Sequence, residues 1–332
     1  MIYDCLIIGA GPAGITAAIY LKRANLNIAV IEKDSPGGLM NKSSLIENYP
    51  GVKKTTGPDL AYKFYEQLND YKVPYIQGEV TEIKDLGKTK IVKTNNQEFE
   101  TKTVLLAVGR SPKKLDNLKE TNGISFCSLC DGHLYKNEDV VIIGGGSSAL
   151  EEALYLANIC SKVTIIYRGK ELKGDNSLIE RVENKENISI MYEAEIKEAI
   201  SENNRLEKVV LTNGKEVKTK ACFIFIGYEP ATKFLKTLDI LDEKGYIITD
   251  EFGGTRISGI YAAGDIIKKE AYQIVTAASD GVIAATSIIK KLSLEEWYNE
   301  TEQQRLGAIS ILLIIALNIN NAFNSSVRDK LL

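Results

Sequence analysis

Twice in this chain a short apolar run ends in a glycine-rich turn, continues through an amphipathic stretch and emerges in a second apolar run. The first copy runs from Ile2 to Ile8, through Gly9-Ala10-Gly11-Pro12-Ala13-Gly14 and residues 13–23, to Ile28–Glu32. The second runs from Val140 to Ile143, through Gly144-Gly145-Gly146-Ser147-Ser148-Ala149 and residues 150–158, to Val163–Tyr167. Strand, glycine turn, helix and strand in that order open a dinucleotide-binding unit, so two copies predict an α/β fold with two Rossmann-like domains of the three-layer ββα type. A length of 332 residues suits two domains. Thr103–Gly109 and Ala221–Gly227 read as the strands leading out of each unit. Residues 260–262 read as a strand ending in the polar loop at Gly264 and Asp265, with a helix over 276–290. That order inserts the second domain into the first: 1–113 with 243–292 form one domain, 114–242 the other, and 293–332 a C-terminal extension.

Glycine in such a turn lets backbone N–H groups approach a pyrophosphate at a helix N-terminus. Glu32 ends the strand after the first turn, where a carboxylate accepts hydrogen bonds from two ribose hydroxyls and disfavours a 2′-phosphate. FAD or NAD therefore fits the first unit better than NADP. The second unit carries no acid at that point. Arg168, Lys170 and Lys173 follow its second strand and suit a 2′-phosphate, Glu171 weakens their field, and a solvated basic loop is the alternative. Gly144, Gly146, Ser147, Ser148, Arg168 and Lys173 are the candidate NADPH or NADH contacts.

Between the two turns lies Cys127-Ser128-Leu129-Cys130-Asp131-Gly132. Two thiols two residues apart form a reactive disulfide or half a metal site. A zinc site needs two further ligands at suitable spacing, and none is evident, so no metal is expected. In a dithiol pair the thiolate is the nucleophile, and Asp131 beside it is placed to exchange a proton with a departing thiolate. Electrons passing from one cofactor through another to sulfur would account for the whole arrangement.

The remaining composition narrows the field. Five cysteines in 332 residues are too few for a secreted disulfide framework, and Cys5, Cys160 and Cys222 sit in or beside apolar runs. A net charge of -3 gives no reason to expect nucleic acid as a partner. The single histidine, His133, argues against histidine-rich metal sites. The N-terminus reads as a strand and lacks the basic start and cleavage site of a signal peptide, so a cytoplasmic location is expected. The apolar stretch 306–323 has an uninterrupted core, 311–317, too short to span a bilayer. A docking or dimer-packing helix is its expected use, and a membrane-surface anchor the alternative.

Seven motifs, GAGPAG at 9–14, PGGLM at 36–40, ENYPG at 47–51, AVGRSP at 107–112, CSLCDG at 127–132, GGGSSALEEA at 144–153 and YAAGDI at 261–266, stand in one order over residues 1–292. Through them the chain resembles the low-molecular-weight thioredoxin reductases, a class of FAD-dependent pyridine nucleotide-disulfide oxidoreductases. The resemblance implies FAD contacts from Gly9, Gly11, Pro12, Ala13, Gly14, Glu32, Lys33, Gly38, Leu39, Asn48, Val80, Ala107, Gly109, Gly264, Asp265, Gln273 and Ile274. It implies that Cys130 faces the flavin, that Cys127 attacks the disulfide of thioredoxin or a similar small protein, and that Asp131 is the acid. It also implies a homodimer, and rotation of one domain against the other about linkers near 113–117 and 241–246.

Two departures bear on the electron source. Members that use NADPH carry an HRRxxxR run where this chain has Tyr167, Arg168, Gly169 and Lys173, and an arginine where it has Tyr272. Thioredoxin-disulfide reduction with NAD(P)H is the expected activity. The alternatives are a ferredoxin-dependent flavin thioredoxin reductase, a dithiol oxidase that passes electrons to oxygen, and a redox-sensing or membrane-docking module.

Overall fold

A computed structural model of the chain describes residues 2–43, 45–115, 118, 123–295, 297–298 and 301. They fall in two compact units, Met1–Ala285 and Thr286–Leu332.

The first unit is α/β and contains both glycine turns. Ile2–Ile8 lies between Ile28–Glu32 and Glu98–Leu106, parallel to both, with Tyr75–Gln77 beyond on one side. Flanked on both edges and covered on both faces, such a strand is apolar along most of its length, which explains the IYDCLII and IAVIE runs. Val80–Asp85 and Lys90–Thr94 extend this sheet as an antiparallel ladder, and Ile260–Ala262 pairs in parallel with Glu98–Leu106 from more than 150 residues later.

Side chains alternate across the sheet. Leu6, Ile8, Ala29 and Ile31 share one core with Val80, Ile83 and Val92 of the antiparallel ladder. Leu235, Leu238 and Ile240 pack into this same core, so the chain has already rejoined the first sheet before residue 243. Each such aliphatic side chain, fully buried, stabilises the fold by about 1.5–3 kcal/mol.

The second sheet is parallel throughout, in the order Ile188–Met191, Lys162–Ile166, Asp139–Ile143, Ala221–Ile224, Ile124–Ser125. Val140 and Ile142 pack under the helix Ser147–Leu156. Val141 and Ile143 face the other way, into a core with Ile196, Leu206, Val209 and Leu211 of a three-stranded antiparallel sheet. Helix, parallel sheet and antiparallel sheet are the three layers expected. A two-stranded ladder, Arg110–Pro112 against Tyr228–Pro230, runs where the chain leaves and re-enters the first sheet.

In the second unit, residues 286–295 are helical and Lys291 pairs with Glu295 one turn on, at 2.8 Å. The apolar stretch 306–323 lies outside the described residues. Among the described residues no helix is long and apolar enough to cross a membrane.

Candidate active site

The first turn is closed by its own backbone. Gly9 has φ +105°, and a Cβ there would meet the Ala107 carbonyl; a Cβ on Gly14 would meet the carbonyl oxygen of Gly9. Neither position admits a side chain, which is why both are glycine. Gly11 caps the helix Pro12–Arg23 without any side-chain hydrogen bond, and a Cβ built on it has nothing within 4 Å among the described residues. Gly38 lies beside it, its built Cβ 3.4 Å from the Gly11 Cα, and Gly37 donates to the Ala10 carbonyl at 2.7 Å. Gly264 closes against Ala13 from a third segment. Three stretches far apart in sequence thus converge on one uncapped helix start, a cradle suited to a pyrophosphate.

Glu32 stands at the edge of this cradle. Its carboxylate accepts N–H bonds from Ala10 at 2.7 Å, Lys33 at 2.8 Å and Asp34 at 2.9 Å. Asn48 donates to Gln273 at 3.0 Å, joining two expected contacts 225 residues apart. Leu39, Ala107, Gly109 and Ile274 lie on the segments just named or next to them, whereas the Val80 side chain belongs to the core and leaves only its backbone for a ligand. These residues fit a flavin dinucleotide: an open glycine cradle, an uncapped helix and a carboxylate at the adjoining strand end.

Cys127 and Cys130 are joined in a disulfide. Cys127 caps a single helical turn, Ser128–Asp131, in which the Cys130 N–H lies 3.1 Å from the Cys127 sulfur. Cys127 is buried at 6% exposure and Cys130 is exposed, so the two sulfurs are not equivalent. The turn packs against Gly38–Lys42, placing the disulfide beside the first cradle. Ser125 organises this site. Its hydroxyl donates to the Asp131 carboxylate at 2.6 Å and accepts from the Cys127 N–H at 3.1 Å. No motif contains Ser125, although it stands two residues before Cys127, on a strand paired beside Cys222–Phe223.

The three remaining thiols are chemically quiet. Burial pushes Cys5 up to about 12 and Cys160 up to about 11, and raises Cys222 further still. After reduction of the native protein, iodoacetamide at pH 8 should therefore label the exposed Cys130 first, with Cys5, Cys160 and Cys222 reacting only in denaturant. Peptide mapping checks this, and native labelling at Cys5, Cys160 or Cys222 would refute it.

The second turn repeats the logic of the first. Gly144 has φ +140°, and a Cβ on it would meet the Phe225 carbonyl, while Gly146 is open. The helix begins at Ser147, so Ser147 and Ser148 stand in its first turn. Lys173 is drawn back to the turn, donating its N–H to the Gly145 carbonyl at 2.7 Å, and Asp175 donates to the Ser147 hydroxyl at 3.1 Å. Arg168 and Lys173 are exposed. The Tyr167 ring lies over Gly145, and a Cβ there would sit 2.6 Å from ring atoms. Among the described residues no cluster of His, Cys, Asp or Glu is arranged to hold a metal.

Two glycine cradles with a dithiol pair beside one of them define a dinucleotide-dependent disulfide oxidoreductase. The chain belongs to the pyridine nucleotide-disulphide oxidoreductase family, whose pattern it matches over residues 3–281. It is 40% identical over 296 residues to the thioredoxin reductase of Bacillus subtilis strain 168, covering 86% of this chain and 94% of that one. The thioredoxin reductase of Mycoplasma pneumoniae is also 40% identical, over 299 residues, covering 87% and 95%. Among solved structures, the thioredoxin reductase of Lactococcus lactis in its FR conformation superposes with a TM-score of 0.84 at 38% identity, covering 87% of this chain and 98% of that one.

Proposed function

We propose that this protein reduces the disulfide of thioredoxin, or of a small protein like it, with electrons from NADPH or NADH. The observation that carries the reading is the Cys127–Cys130 disulfide seated against the Gly38–Lys42 segment of the first cradle. FAD bound in that cradle supplies a carrier that accepts hydride from a nicotinamide and passes an electron pair to a disulfide. Gly9, Gly11, Gly14 and Glu32 hold its dinucleotide portion, and Asp265 its ribityl or phosphate portion. The second cradle, from Gly144 to Ser148, takes the nicotinamide dinucleotide.

Two electrons delivered to Cys127–Cys130 open the bond into a thiol and a thiolate. Cys127 then attacks one sulfur of the partner disulfide, and the partner's other sulfur leaves with a proton from Asp131. Attack by Cys130 on the mixed disulfide releases the reduced partner and restores the internal bond. Burial of Cys127 supports a rotation between the two steps, since a protein disulfide must reach that sulfur. The ladder of Arg110–Pro112 and Tyr228–Pro230 is the proposed hinge, which assigns residues 231–242 to the first domain and shortens the inserted domain from the 114–242 read in the sequence. A homodimer in the cytoplasm is the proposed setting.

Asp131→Asn should slow thioredoxin reduction about a hundredfold, the usual contribution of a positioned acid, while flavin reduction by NAD(P)H keeps its rate. Steady-state assays and stopped-flow absorbance separate the two, and an equal loss in both would remove Asp131 from the sulfur chemistry. Ferredoxin as the donor is the second reading. The Tyr167 ring over Gly145 favours it, standing where NADPH-using relatives place the histidine of the basic run. Bleaching of the flavin by either nicotinamide within one turnover eliminates it.

A further inference from the structure

Arg110 opens the ladder strand through which the chain leaves the first sheet. Its guanidinium donates to Asp265 Oδ2 at 3.1 Å, stacks 3.7 Å from the centre of the Tyr272 ring, and lies 5.3 Å from that of Tyr228. Lys269 approaches the other Asp265 oxygen at 3.7 Å and pairs with Asp280 at 2.6 Å. Two cations and two carboxylates balance. Arg110 and Asp265 keep only 15% and 18% of their side-chain surface exposed, so solvent screens their pairing poorly. The Arg110 Nε is buried and has no hydrogen-bond partner among the described residues. A buried donor left in this way is completed by an ordered water or by an acceptor that a ligand brings, and the adjoining flavin cradle supplies the second.

We propose that Arg110 is a positioning residue of the flavin site: from the crossing ladder it holds the Asp265 carboxylate toward bound FAD and offers Nε–H to the cofactor's ribityl or phosphate oxygens. The proposal rests on the reading of the first cradle as an FAD site. One side chain then ties the linkage between the domains to the cofactor. Only arginine does this, because its planar guanidinium stacks on Tyr272 while pairing with a carboxylate in its own plane. Removing it leaves the charge quartet one unit negative beside the flavin. That disfavours the reduced flavin, which carries the greater negative charge, and the midpoint potential falls.

The test uses the holoenzyme, with Arg110→Gln, Arg110→Lys and the double variant Arg110→Gln/Asp265→Asn. Flavin fluorescence on heating reports FAD release, circular dichroism reports unfolding, and dye equilibration reports the midpoint potential. Arg110→Gln should weaken FAD retention about tenfold, release it before the fold melts, and lower the potential. Arg110→Lys should restore the potential, which depends on charge, without restoring retention, which depends on the stack and fork. The double variant should also recover the potential by restoring charge balance. Parental FAD release and parental potential in Arg110→Gln overturn the proposal. So does a potential that stays low in the double variant and in Arg110→Lys, since charge then has no part. A parent protein that holds no flavin fails the underlying FAD reading instead, which separates the two outcomes.

Discussion

Cys127→Ser and Cys130→Ser each lower thioredoxin reduction by about a thousandfold or more, because neither serine oxygen can form or leave a disulfide. Flavin reduction by a nicotinamide survives in both, since neither sulfur takes part in that step. The two variants then diverge. Cys127→Ser keeps the exposed sulfur beside the Gly38–Lys42 segment and loses the attacking one. Cys130→Ser keeps the attacking sulfur and traps the partner in a mixed disulfide, because nothing remains to resolve it. Mass spectrometry of the intact adduct distinguishes them. A stable adduct from Cys127→Ser rather than Cys130→Ser would exchange the two roles.

The second large effect comes from the glycine turns. Gly14→Ala drives a methyl group into the carbonyl oxygen of Gly9, and Gly144→Ala drives one into that of Phe225. Both contacts are with backbone at the end of a buried parallel strand, so the turn has to open at a cost of about 1–3 kcal/mol. The losses fall on different cofactors. Gly14→Ala yields protein depleted of flavin, measured as flavin absorbance per chain. Gly144→Ala retains flavin and loses its rapid reduction by NAD(P)H. Equal flavin loss in both would mean that the turns do not serve separate sites.

Much of this organisation was legible in the residues because it is local. A strand buried on both faces must be apolar along most of its length, a turn under a neighbouring carbonyl must be glycine, and CSLCDG carries its chemistry within six positions. What escaped depends on contacts that local pattern does not encode. Ser125 lies close to Asp131 in the chain, yet no spacing rule marks its hydroxyl as the partner of that carboxylate. Arg110 meets Asp265 across 155 residues of chain. The segment after Tyr228–Pro230 is short and irregular, so nothing in its pattern revealed that Leu235, Leu238 and Ile240 fill the first core. The tyrosine over the second turn shows the same limit: Tyr167 reads as a lost histidine in sequence and as a ring against Gly145 in space.

The central claim is that electrons travel from a nicotinamide through flavin and Cys127–Cys130 to a protein disulfide. Anaerobic stopped-flow mixing of the holoenzyme with NADPH and with NADH, followed by a second mix with oxidised thioredoxin, tests every link at once. The predicted result is rapid bleaching of the flavin by at least one nucleotide, then recovery of its colour as thioredoxin thiols appear in stoichiometric amount. Flavin that neither nucleotide bleaches, or bleached flavin that oxidised thioredoxin leaves unchanged, would contradict it.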